Sequence, residues 1–120
     1  MRLLVIFLVL SVASAMAQEI PVSVYGLGNK SCGTFIAATK DLGPGETRTA
    51  RDFYSLNSLF NQYALGYITA SNALDGNPVN GVDLAGIDLA LRRYCQVNPT
   101  ANFATAVHQF IQSERQRRGR

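Results

Sequence analysis

Few residues in this 120-residue chain combine in a pattern that supports catalysis. Its one histidine, His108, lies on a predicted helix, and a catalytic triad or a zinc site at His108 requires partners brought from distant parts of the chain. None of its neighbours at helical spacing is a base partner; they are Phe103, Ala104, Ile111 and Gln112. We therefore predict a structural histidine and a protein that is not an enzyme.

The aspartates do not form a recognisable cation site. The spacing of Asp75, Asp83 and Asp88 does not follow the calcium-binding loop of an EF-hand, and Asp83 stands where it would cap a helix. Gly26-Leu27-Gly28 is too short for a phosphate-binding loop and does not open a suitable helix. The sequence thus predicts neither a metal nor a cofactor.

A group of tyrosines with nearby amide and hydroxyl side chains is the best candidate for a binding surface. Tyrosine and asparagine near one end of a long helix are suited to lining a groove for a ligand or a peptide. The alternative is a set of core tyrosines whose hydroxyls reach the protein surface. The candidate residues are Tyr63, Tyr67, Ser71, Asn72 and Tyr94.

Positive charge is concentrated at the C-terminus. Arg115, Arg117, Arg118 and Arg120 lie within the last six residues, whereas the rest of the chain is close to neutral. Such a cluster suits nucleic acid or an anionic membrane surface, but elsewhere no basic and aromatic residues accompany it. We predict a frayed, soluble Arg-rich tail and no nucleic-acid partner.

The N-terminus has the features of a secretory signal peptide. A short positive end at Met1-Arg2 precedes an apolar run over residues 3–10, and Ala15-Met16-Ala17 fits the cleavage pattern. The apolar run is shorter than the roughly 20 residues that span a bilayer, so we expect cleavage after residue 17 and no stable membrane anchor. Residues 18–120 would then form one exported domain with ten basic and eight acidic residues, a net charge of +2.

Cysteine usage agrees with export. Cys32 and Cys95 are the only cysteines, and a single pair in an oxidising compartment most simply forms one disulfide. The alternative is two free, redox-active thiols, although the chain has no C-x-x-C spacing. A bridge closing a loop of this length stabilises the folded state by about 4 kcal/mol in the chain-entropy treatment.

These residues must be positioned by helices. Apolar residues recur at steps of three and four over residues 53–74, which predicts a long central helix. Shorter helices are predicted from Cys32 to about Lys40, from Leu84 to about Val97, and from Thr100 or Asn102 onward. The sequence therefore predicts an all-α fold, a small bundle of about four helices with one disulfide. Residues 18–29 are expected to form an extended arm or short strand. The predicted inner face of the long helix consists of Phe53, Leu56, Phe60, Tyr63, Tyr67, Ala70 and Leu74.

Two segments resemble the HdeA/HdeB acid-stress chaperones of the Gram-negative periplasm. Residues 31–36, Ser-Cys-Gly-Thr-Phe-Ile, are similar to the first cysteine helix of that family. Residues 93–99, Arg-Tyr-Cys-Gln-Val-Asn-Pro, followed by an amphipathic helix, are similar to its second cysteine segment. The resemblance implies a small exported helical protein with one disulfide. It also implies a homodimer that dissociates and partly unfolds in acid, then binds unfolding client proteins.

The segment between the cysteines is longer than in those chaperones, and residues 66–72 depart from their pattern. This part resembles the Rap1a/Tai-type immunity proteins, which are small periplasmic proteins that neutralise one toxin. The leading hypothesis is a periplasmic protein that acts by binding proteins, as an acid-stress chaperone. The alternatives are an immunity or inhibitor protein with one partner, and a small-ligand-binding domain.

Overall fold

The protein is folded from α-helices in the residues that the computed structural model describes, 23–39 and 56–119. The four helices are α1 (Cys32–Thr39), α2 (Leu56–Asp75), α3 (Leu84–Val97) and α4 (Phe103–Arg118). Those two ranges contain no β-strand, and the one bridge between extended residues pairs Ser31 with Asn102. The all-α prediction is therefore confirmed. The predicted signal peptide (1–17) and the stretch 40–55 lie outside the described residues.

Residues 26–29, the last part of the predicted extended arm, are helical instead. Gly26–Asn29 form one turn of 3-10 helix that packs against α2 and α4. Gly28 is buried there, and the hydroxyl of Tyr63 occupies the place where a Cβ atom of residue 28 would lie. A residue with a side chain does not fit, so the contact with Tyr63 requires glycine.

Three phenylalanines and the disulfide form the core. The ring of Phe103 lies 4.7 Å from those of Phe35 and Phe60 between centroids, and all three rings are fully buried. Cys32 and Cys95 are bonded to each other and have no exposed surface. The predicted disulfide is thus confirmed, and it joins the first turn of α1 to the last turn of α3.

The start of α1 is held by the linker between α3 and α4. The first amides of a helix have no partner within the helix. Here the backbone N–H of Cys32 donates to the carbonyl of Ala101, and that of Gly33 donates to the carbonyl of Pro99, both at 2.8 Å. Ser31 caps the same turn by accepting from the N–H of Thr34 at 3.2 Å.

The buried face of α2 differs from the predicted one. Leu56 and Leu74 were expected inside but are 44% and 85% exposed, whereas Asn57 and Asn61, which are not on the predicted inner face, are buried. The centre of the buried face is Ala64, whose small side chain lets α2 lie close to its neighbours. The two asparagines bond each other, Nδ2 of Asn61 donating to Oδ1 of Asn57 at 3.3 Å, whereas Nδ2 of Asn57 and Oδ1 of Asn61 are buried without a hydrogen-bond partner among the described residues.

Helices α3 and α4 follow the sequence prediction more closely. Asp83 caps α3 by accepting from the N–H of Gly86 at 2.8 Å, and α3 ends at Val97. Helix α4 begins at Phe103, within the predicted region, and its buried face includes Phe103, Ala106, Val107, Phe110 and Ile111. Arg115, Arg117 and Arg118, which were predicted to lie in a frayed tail, belong to α4, which is helical through Arg118.

Candidate functional site

Two of the predicted binding residues lie side by side on α2 and meet α4. The rings of Tyr63 and Tyr67 are 6.3 Å apart between centroids, and both side chains are half-buried. The hydroxyl of Tyr67 lies 3.4 Å from Nδ1 of His108. Sequence reasoning missed this pairing, because the two residues are 41 positions apart and only the packing of α2 on α4 brings them together.

The chemistry of the two tyrosines is that of neutral hydrogen-bonding groups. Burial raises the pKa of Tyr67 above that of a free phenol, and burial together with the neighbouring Tyr67 raises the pKa of Tyr63. Neither hydroxyl is therefore activated as a base or a nucleophile at neutral pH. Tyr63 also fills the space over Gly28, so its ring holds the N-terminal segment in place.

Asn72 serves the loop between α2 and α3. Its Nδ2 donates to the carbonyl of Val79 at 2.8 Å, and its Oδ1 accepts from the N–H of Val79 at 3.0 Å. One side-chain amide thus holds both polar groups of one loop residue. Ser71, the preceding residue, is half-buried. The side-chain amide of Asn72, which was predicted to contact a ligand, is therefore bonded to the protein's own backbone.

Tyr94 is separate from the α2 tyrosines. It lies on α3, and within residues 23–39 and 56–119 no ring contact or hydrogen bond joins it to Tyr63 or Tyr67. Its hydroxyl is buried without a hydrogen-bond partner in that part of the chain, and burial raises its pKa. The structure therefore brings together Tyr63 and Tyr67, but not Tyr94, of the predicted surface.

The acidic side chains of the described helices make structural contacts. Asp75 lies 3.1 Å from Arg115 of α4, Asp88 lies 2.7 Å from Arg92, and Asp83 caps α3. Glu114 pairs with Arg117 one turn along α4. Among the described residues, no group of three histidine, cysteine or acidic side chains is placed to hold a metal ion.

The C-terminal arginines fasten α4 to the loop after α2. Arg115 reaches Asp75 at the end of α2, and Arg118 donates to the backbone carbonyl of Asn77 at 2.7 Å. Arg118 makes a second, longer contact of 3.4 Å with the carbonyl of Asn80. Arg117 differs, because its partner Glu114 is on its own helix. Two of these arginines thus bind the protein itself.

One side of α2 is exposed and carries no charge. Between Leu56 and Asp75 the only charged residue is Asp75, at the last position. This side, which we call the outer face of α2, is formed by Leu56, Leu59, Gln62, Gly66, Ala70, Ala73 and Leu74, all of them exposed. Surface helices usually place charged residues toward water. The sequence prediction missed this surface because it placed Leu56, Ala70 and Leu74 in the core.

The fold and these contacts define a small disulfide-linked helical protein. None of its described helices has the length and apolar character needed to cross a membrane. Comparison with known proteins finds no match among protein-family models, curated proteins or solved structures.

Proposed function

We propose that the protein is a non-enzymatic, exported helical protein that binds other proteins and acts as an acid-stress chaperone of the HdeA type. The observation that carries the proposal is that the carboxylates of the protein take part in contacts of the folded state. Each of the four acidic residues in the described ranges makes a native contact: Asp75, Asp83, Asp88 and Glu114. Carboxyl groups are neutral at pH 2 and no longer form ion pairs.

The four contacts join different parts of the protein. The ion pair of Asp75 with Arg115 joins two helices, whereas the pairs of Asp88 and Glu114 lie within single helices. The Asp83 cap starts α3, and losing such a cap costs about 1 kcal/mol. Exposed ion pairs contribute less than about 1 kcal/mol each. Loss of the Asp75–Arg115 pair loosens α2 relative to α4, whereas loss of the Asp83 cap weakens the start of α3.

Charge repulsion adds to this effect. Protonating all eight carboxylates leaves ten lysine and arginine charges in residues 18–120 without negative counterparts. Net charge far from zero destabilises a compact state. The disulfide does not titrate, so α1 and α3 stay joined while α2 separates. The rings of Phe35 and Phe103 would then be open to the unfolding protein that the chaperone binds.

The test follows the oxidised protein, residues 18–120, by far-UV and near-UV circular dichroism from pH 7 to pH 2, with an aggregation-suppression assay at each pH. Loss of near-UV signal with retained helix, together with client protection in acid only, is expected. Asp75→Asn should move the transition to higher pH, whereas the within-helix control Asp88→Asn should move it less. A fold unchanged at pH 2 without client protection contradicts the proposal.

The outer face of α2 favours a second candidate function, an immunity or inhibitor protein with one specific partner. A preformed uncharged surface on a disulfide-linked fold suits rigid docking on one protein. Such a protein should keep its near-UV signal in acid and should bind its partner with a fixed stoichiometry in calorimetry. Client protection that is independent of the client's identity would contradict this candidate.

A further inference from the structure

The loop between α2 and α3 contains the only asparagine of the chain that is followed by glycine, in the pair Asn80-Gly81. Glycine has no Cβ atom, so its backbone nitrogen is the least hindered in a reaction with the preceding side-chain amide. Both residues are exposed. Apart from the adjoining residues, no atom of the described chain lies within 4 Å of the place where a Cβ atom of Gly81 would be. The folded protein therefore leaves the space around this pair open.

The two groups of this pair that are able to react with each other are not bonded elsewhere. Among the described residues, no hydrogen bond engages the side-chain amide of Asn80 or the backbone N–H of Gly81. Asn80 makes its contact through the backbone carbonyl, which lies 3.4 Å from Nη2 of Arg118. Gly81 has a φ of +74°, a conformation that glycine adopts without strain. The amide of Asn80 is thus free to turn toward the nitrogen of Gly81.

Four of the other asparagines precede a nitrogen that is unable to react or is already bonded. Asn77 and Asn98 precede proline, whose nitrogen carries no hydrogen. The residue after Asn29 donates its N–H to a backbone carbonyl at 3.1 Å, and the residue after Asn102 does so at 2.8 Å. The same reaction is therefore hindered at all four positions.

The remaining three asparagines lie in α2. Asn57 and Asn61 are buried, and the amide of Asn72 bonds both backbone groups of Val79. Asn80 is therefore the one asparagine of the described ranges that is exposed, has an unbonded amide and precedes an unbonded N–H.

We propose that Asn80 is a deamidation site, at which the folded protein converts to aspartate and isoaspartate without an enzyme. The backbone nitrogen of Gly81 bonds to Cγ of Asn80, and the side-chain nitrogen leaves as ammonia with the proton of that N–H. Water then opens the resulting five-membered succinimide ring. Opening at Cγ gives aspartate, and opening at the backbone carbonyl carbon gives isoaspartate, so that water is consumed and ammonia released without oxidation or reduction.

Both products place a carboxylate where Arg118 contacts the loop. The guanidinium of Arg118 donates to the backbone carbonyls of Asn77 and Asn80, and deamidation gives it an ionic partner instead of a neutral one. In isoaspartate that carboxylate is the former backbone carbonyl of residue 80. The net charge of residues 18–120 falls from +2 to +1, which ion-exchange chromatography detects. This inference concerns the chemistry of one loop and stands independently of the chaperone proposal.

Peptide mapping by mass spectrometry, after incubation of the oxidised protein (residues 18–120) at pH 5 and pH 8, tests the proposal. Asn80 should convert at least about tenfold faster than any other asparagine, because glycine alone offers an unhindered nitrogen. The conversion should be faster at pH 8, since the attacking nitrogen must lose its proton. Equal conversion of Asn80 and the other asparagines, or a rate at Asn80 more than about tenfold below that of the urea-unfolded protein, overturns the proposal.

Substitutions test the assignment to this pair. Asn80→Gln keeps a neutral amide but requires a six-membered ring, so the acidic form seen by ion exchange should be lost. Asn29→Gln, at another exposed position, is the matched control and should form it at the wild-type rate. Asn80→Asp should elute with the aspartate product. An Asn80→Gln protein that forms the acidic species as fast as wild type overturns the proposal, and circular dichroism establishes that each variant is folded.

Discussion

Asn72 joins α2 to the following loop through one residue, because its amide both donates to and accepts from the backbone of Val79. Asn72→Ala leaves a buried valine with two unpaired backbone groups, for which we expect a loss of about 1–3 kcal/mol in the free energy of unfolding. Urea denaturation measures this loss. Asn80→Ala, at an exposed position of the same loop, should change the free energy by less than about 0.5 kcal/mol.

Tyr63 and Tyr67 should make the protein sensitive to alkali. A phenol whose pKa is raised on folding holds its proton more tightly in the folded state. Its contribution is complete below about pH 10, the value for a free phenol, and is lost as the pH rises through the folded-state pKa. We expect the free energy of unfolding to fall above about pH 10, and to fall less steeply in Tyr67→Phe.

The measurement is urea denaturation at several alkaline pH values, with tyrosinate absorbance recorded in parallel. Tyr25→Phe is the matched control, because the Tyr25 side chain is 82% exposed. An equal alkaline slope in Tyr67→Phe and wild type would contradict a role for Tyr67.

His108 shows how far residue types alone predict the candidate site. The sequence identified Tyr63 and Tyr67 as neighbours, because a spacing of four places them on adjacent turns of one helix. It could not pair Tyr67 with His108, since that contact depends on how α2 crosses α4. Tyr94 was grouped with them by residue type, but α3 places it elsewhere.

At the scale of the elements, α4 holds the end of α2 and the α2–α3 loop through two of its last arginines. Arg115→Ala removes the ion pair with Asp75 at the end of α2, Arg118→Ala removes a contact with the loop, and we expect both to lower the melting temperature. Because both arginines are exposed, we expect each substitution to lower the free energy of unfolding by less than about 1 kcal/mol. Arg117→Ala changes the net charge equally but breaks only a contact within α4, so it should have the smaller effect.

Thermal denaturation at low and high salt checks this order. Salt should reduce the effect of Arg115→Ala, since salt screens its ion pair with Asp75. Equal melting temperatures for the three variants would contradict a specific role of the loop contacts.

The helices themselves were predictable to different degrees. For α3, Asp83 indicates the start of the helix and Asn98-Pro99 indicates its end. The structure has the same limits, because caps are local signals. The buried side of α2 was not predictable from its apolar residues. In the folded protein, Ala64 and the mutually bonded Asn57 and Asn61 are buried, whereas Leu56 and Leu74 are exposed. No local signal in the sequence predicts this arrangement.

At the scale of the whole molecule, the disulfide joins segments 63 residues apart in a small core. Cys32→Ser combined with Cys95→Ser should lower the free energy of unfolding by about 4 kcal/mol, because the unfolded chain regains the freedom that the bridge removes. Urea denaturation of this variant and of the oxidised protein measures the difference. Adding a reductant to the double variant should change nothing further, and equal stability of the two proteins would contradict the expectation.

The hydrogen bonds at the start of α1 also determine when this helix is able to form during synthesis. The acceptors for Cys32 and Gly33 are the carbonyls of Ala101 and Pro99, which are made more than 60 residues later. At 5–20 residues per second, the ribosome needs roughly 3–14 s to add them. Until then the ring of Phe35 cannot be buried in a completed core, and Cys32 cannot form its disulfide with Cys95. The nascent chain therefore reaches its native form only when almost all of it has been made.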